Sequence, residues 1–103
     1  MDSRLTLTIK CIREQRATVQ TSLEYQWQSL GSCRSSWGKR EEIAKWFIEH
    51  GIKQDERGWH FTQQDEKDRD AAVAGYEQRI KELRAQLVEC DQAILTVLQK
   101  WQA

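Results

Sequence analysis

Cysteine, histidine and clustered carboxylates are the residues that could do chemistry in this chain, and their spacing argues against each kind of site. The soft metal ligands are Cys11, Cys33, Cys90, His50 and His60. A zinc site wants close pairs of ligands, because four of them must converge on one ion. Here Cys33, His50, His60 and Cys90 follow one another at intervals of 17, 10 and 30 residues, so no metal is expected. Nucleophilic catalysis needs an activated nucleophile, a base and a group that orients the base. Cys33 reads as a loop residue beside Arg34, a setting that lowers a thiol pKa, and His50 or His60 could act as base. No orienting residue or oxyanion element accompanies them. Acids are abundant but fall on solvated helix turns. The five glycines, at 31, 38, 51, 58 and 75, punctuate elements and do not gather into a phosphate-cradling loop. The chain therefore reads as not an enzyme, with no catalytic residue, no metal and no cofactor.

Binding residues are better represented. Residues 1–40 hold seven basic groups against three acids, and the remainder reverses that balance, so a net +4 faces a net −4. Opposite signs favour the two ends lying side by side. Lys39, Arg40, Lys45, Lys53 and Arg57 could reach phosphates, and Trp59 or His60 could stack on a base, which makes nucleic acid the alternative partner. Glu41, Glu42 and Glu49 interrupt that basic stretch and count against it. Five tryptophans in 103 residues is a high number, and Trp is strongly enriched at binding hot spots. Trp46 and one of Trp37 or Trp59 suit a core; Trp27 and Trp101 fall at helix ends and suit contact with another chain.

The elements that position these residues are mostly helical. Val73, Tyr76, Ile80, Leu83, Leu87, Cys90, Ile94, Val97 and Trp101 follow one another at alternating three- and four-residue steps, a heptad stripe that keeps one seam facing a partner helix. This predicts a long helix over 62–102. Thr62 can cap it, with Asp65 three residues on in the capping-box manner, and Asp65, Glu66, Asp68 and Asp70 suit its first turns. Gly75 weakens it by roughly 1 kcal/mol against Ala. A first helix is predicted over 3–30, where Leu5, Ile9, Ile12, Val19, Leu23 and Leu30 share a heptad register broken by Arg16 and Gln26, and Gly31 can end it. Leu5, Leu7, Ile9 and Cys11 also alternate with polar residues at the period of a strand. That alternation dies at Ile12 while the heptad runs on to Leu30, which favours helix.

Between them, residues 31–61 read as an aromatic-rich module. Gly31–Gly38 is a loop of turn-formers, Lys39–His50 a short helix that buries Ile43, Trp46 and Phe47 and is closed by Gly51, and Ile52–Thr62 a small β-hairpin. Trp37, Trp46, Phe47, Trp59 and Phe61 would form its core. The expected fold is thus mainly all-α and a single domain over 1–103: a long antiparallel helical hairpin or coiled coil capped by a small helix-plus-β-hairpin module.

Length adds an inference. The first helix would span roughly 42 Å and the second roughly 60 Å, so the second would overshoot, unless it starts near Asp70 and the lengths match. The overhang, Asp91–Ala103, carries Ile94, Leu95, Val97, Leu98 and Trp101. Exposed, such a patch is an aggregation hazard or an interface. Ile94, Leu95, Leu98, Trp101 and Trp27 are therefore the expected protein-contact residues, and a homodimer the expected state. The function expected is a non-catalytic helical protein–protein interaction module, acting as adaptor, assembly factor or stoichiometric inhibitor, of the sort mobile elements also carry. The alternative is a small winged-helix-like DNA- or RNA-binding regulator that uses the middle module, with the long helix as dimer arm. No run is apolar enough for a membrane span, and the opening residues lack a signal-peptide core. Three unpaired cysteines then fit a reducing cytoplasm.

Overall fold

The computed structural model describes residues 3–52 and 60–102, and two helices account for nearly all of them. Helix α1 runs Ser3–Glu49 over 47 residues, and helix α2 runs Gln63–Gln102 over 40. The class is all-α, and no strand occurs among the described residues. Residues 4–12 are helical, and Thr8, one of the polar residues of the strand-like alternation, finds a helical partner: its hydroxyl donates to the Arg4 carbonyl at 2.8 Å.

The main correction concerns residues 31–38. They form neither a loop nor a boundary; α1 passes straight through them, and the short helix expected over 39–50 is its continuation. Two glycines and three serines make this stretch poor in intrinsic helix propensity, by about 3–4 kcal/mol against alanine. The heptad register overrides that cost. Continued from Leu30 it falls on Cys33, Trp37, Arg40, Ala44 and Phe47, and every one of these is buried or half-buried. Leu30 is only 1% exposed, and burial of a leucine side chain stabilises by about 1.5–3 kcal/mol. With no proline in the chain, nothing forbids the helix, and packing decides.

Both helix ends that face the connection are sealed by local bonds. Gly51 has φ 68°, the left-handed conformation that glycine adopts without strain. This lets Gly51 N–H donate to the Ile48 carbonyl at 3.1 Å and Ile52 N–H to the Phe47 carbonyl at 3.0 Å, a Schellman ending. Gly51 closes the helix, as its position predicts; Gly31 and Gly38 lie inside it. At the start of α2, Thr62 and Asp65 make the expected reciprocal cap. Thr62 N–H donates to Asp65 Oδ2 at 2.8 Å, and Asp65 N–H donates to the Thr62 hydroxyl at 3.2 Å. The β-hairpin expected over 52–62 is not seen in its described ends: Ile52 and residues 60–62 are neither helix nor strand. Its middle, residues 53–59, lies outside the described residues, as do Lys53, Arg57 and Trp59. The cap is therefore not a helix-plus-β-hairpin module: its helical part is the end of α1.

The chain divides into two compact units. The first joins Met1–Trp27 to Gln78–Ala103, and the second is Gln28–Glu77. In each, α1 and α2 run antiparallel. In the first unit Arg16 meets Asp91 and Trp27 meets Arg84, so later positions in α1 meet earlier ones in α2. In the second, Arg34 meets Glu77 and Glu41 meets Arg69. The expected overhang of 91–103 also falls away. Leu98 shares a groove with Leu5 and Ile9, because α1 runs nineteen residues beyond Leu30, and its start is thereby opposite Asp91 and Leu98.

Candidate interaction surface

The second unit is held by arginines. Arg40 and Arg69 stand on the seam, where a heptad expects apolar residues, and both are half-buried. Arg40 stacks over the Trp37 ring at 4.8 Å and reaches Asp65 at 3.4 Å. Arg69 lies over the Phe61 ring at 5.4 Å and pairs with Glu41 at 3.3 Å and Asp70 at 3.1 Å. Trp37 and Phe61 meet edge to face with centroids 6.3 Å apart. The planar guanidinium allows this double use: its faces stack while its edges donate to carboxylates. The Thr62 backbone N–H, helped by the Thr62 hydroxyl and Arg40, holds the Asp65 carboxyl below the usual carboxylate range, although partial burial pushes the other way.

Part of the aromatic core expected here is rearranged. Trp46 is 51% exposed and Ile43 is exposed too, so Ala44 and Phe47, not Trp46, turn toward the partner helix. Trp46 instead carries the His50 ring stacked at 4.0 Å, while His50 Nδ1–H donates to the Trp46 carbonyl at 2.8 Å.

The first unit is different in kind. Its buried residues, Leu23, Ile80 and Leu83, all lie at one end of it. Outward of them the seam is open: Leu5, Ile9, Ile12, Val19, Leu87, Ile94 and Val97 are only half-buried. Two grooves follow. One, of about 670 Å³, lies between Gln15, Thr18 and Val19 of α1 and Gln86, Glu89 and Cys90 of α2. The other, of about 580 Å³, is lined by Leu5, Ile9, Arg13 and Ala17 of α1 and Leu98 of α2. In the same unit Leu7, Val88, Leu95 and Trp101 are exposed. Two antiparallel helices cover only one stripe of each other, so apolar residues beside the stripe stay in water unless a third helix covers them.

The protein-contact residues expected from the sequence fall here. Leu95 is 53% and Trp101 50% exposed, while Ile94 and Leu98 are half-buried on the seam and its flank. Trp27 is exposed in part, with the Arg84 guanidinium over its ring at 5.2 Å. It does not sit at a helix end, as expected, but in mid-helix. Val88 and Leu7, also exposed, were not among the residues expected on this surface. For Val88 a signal existed: it precedes Leu95 by one heptad and so shares its face.

Of the residues expected to touch nucleic acid, Lys53, Arg57 and Trp59 lie outside the described residues. Lys39 and Lys45 are exposed on α1, whereas Arg40 is engaged with Trp37 and Asp65. Cys33 lies on the seam of a helix, half-buried, and not on a reactive loop; Cys11 and Cys90 are also free. Among the described residues no cluster of His, Cys, Asp or Glu could hold a metal ion, and no helix is long and apolar enough to cross a membrane. No family model, curated protein or solved structure matches the chain.

Proposed function

We propose that this chain is a non-catalytic helical interaction module, acting by occupancy of a partner rather than by chemistry, as an adaptor, assembly factor or stoichiometric inhibitor does. The observation that carries the reading is the open seam of the first unit. Apolar side chains on both helices line two grooves there, and each leucine or valine covered by a further helix would contribute about 1.5–3 kcal/mol. Residues 92–103 carry little charge, Lys100 being their one charged side chain. A helix-in-groove mode suits such a surface, with anchors at three- and four-residue steps.

The test is affinity capture from a lysate of the source cell, with and without nuclease, using the unaltered chain and a Leu95→Glu/Leu98→Glu variant whose helicity is checked by circular dichroism. A protein retained after nuclease and lost with the variant is the expected result. A catch that disappears with nuclease but tolerates the variant would move the function to Lys39, Lys45 and nucleic acid.

A further inference from the structure

The two grooves of the first unit differ, and only one of them is matched by a ridge. The larger groove has a polar rim of Gln15, Thr18, Gln86 and Glu89. Beside the smaller groove, α2 presents Val88 and Leu95, one heptad apart, and Leu95 precedes Leu98 by three residues; such spacings lie on one helix face. That flank therefore has a concave part, walled by Leu5, Ile9 and Ala17, next to a convex apolar part. A surface that carries both halves of a fit is what a two-fold interface requires, because each copy gives its ridge to the other's groove.

We infer that a second copy of this chain covers this flank, with α2 of each copy lying antiparallel on α1 of the other. The two terminal units then make a four-helix bundle. The inference rests on the interaction reading above and names the partner for that surface. Charge chooses the pairing. On the face that holds Val88, Leu95 and Leu98 the charged residue is Asp91, since Glu89 turns to the larger groove. The α1 wall carries Lys10 and Arg13 against Glu14, with Arg16 already 2.8 Å from its own copy's Asp91. Laying α1 on α1 would set Lys10 and Arg13 against their own copies. Laying α2 on α1 brings the second Asp91 to the level of Arg13 and Arg16, because Arg16 and Asp91 already share a level within one copy. Leu95 then enters between Ile9 and Arg13.

Light scattering on the full chain at tens of micromolar tests this. The expected mass is twice the 12.2 kDa of one chain. Val88→Glu with Leu95→Glu should halve it, and Gln15→Glu with Gln86→Glu on the other flank should leave it unchanged. Should the ridge variant fail to fold, a cross-link gives the answer. In a chain whose native cysteines are replaced by serine, Arg13→Cys in one preparation and Leu95→Cys in another should form a covalent dimer on mixing and oxidation, and neither should do so alone. A mass of one chain in the unaltered protein overturns the inference. So does a dimer halved by the Gln15/Gln86 pair and not by the ridge pair, or a failure of the mixed cross-link. A monomer that still captures a partner through Leu95 keeps the interaction reading and removes only the second copy.

Discussion

Two stretches of the same helix pair solve the problem of staying together in opposite ways. In the second unit, polar seam positions are bridged: Arg40 and Arg69 each combine an aromatic face with a carboxylate, and the ends are closed by the Gly51 turn and the Thr62–Asp65 cap. In the first unit, outward of Leu83, the helices share an apolar stripe and the Arg16–Asp91 ion pair, whose side chains are both well exposed. Bridging contacts complete themselves within the chain. A stripe of leucine and valine between two helices does not, since each helix offers more apolar surface than the other covers. The second stretch is closed on itself, and the first leaves apolar surface in water.

The contrast is most easily broken with alanine. Leu30→Ala and Leu83→Ala remove side chains that are almost wholly buried and should each cost about 2–5 kcal/mol in denaturant unfolding. Leu95→Ala, measured in dilute protein, should stay within about 0.5 kcal/mol, as exposed positions do. Equal losses for Leu83 and Leu95 would mean the terminal flank is already covered. The arginines sharpen the comparison next. Arg69→Ala should lose about 1–2 kcal/mol, from its stacking and several partial ion pairs, against less than about 1 kcal/mol for Arg16→Ala, and only the latter should vanish in high salt.

A smaller effect tests the cap. Thr62→Ala should cost about 1 kcal/mol. Because the folded Asp65 carboxyl is held below its usual range, its contribution is complete above the ordinary aspartate pKa and is lost as pH falls through the folded value. Asp65→Asn should therefore flatten the acid limb of a stability–pH curve; an unchanged limb would show that the Thr62 bond is not kept in solution. Least of all, Gly31→Ala and Gly75→Ala should stabilise by up to about 1 kcal/mol, since both are mid-helix and an added methyl meets nothing within 4 Å. A loss at Gly31 would argue that the helix does break there.

Much of the seam was legible. The stripe from Val73 to Val97 is buried or half-buried throughout, and the stop at Gly51 and cap at Thr62 are where local chemistry puts them. At Gly31–Gly38 composition and periodicity point opposite ways, and the molecule follows periodicity: Cys33 and Trp37 continue the register of Leu30 without a slip. The same continuation of α1 removes the overhang of 91–103 and turns Trp46 to the outside. The candidate surface was partly legible for the same reason. Leu95, Leu98 and Trp101 stand out by hydropathy, yet which groove Leu98 lines depends on Leu5 and Ile9, almost a hundred residues away in the chain.

Sequence by itself determined what depends on neighbours along the chain: the heptad face of each helix, the left-handed glycine that ends α1, and the reciprocal cap that begins α2. Tertiary structure alone decided whether glycine and serine would be carried through a helix, because their propensity deficit is only a few kcal/mol and cross-helix burial of Leu30 and Trp37 is of the same size. It also decided which apolar residues are left in water, for exposure is set by what the opposite helix covers and not by the residue's own hydropathy.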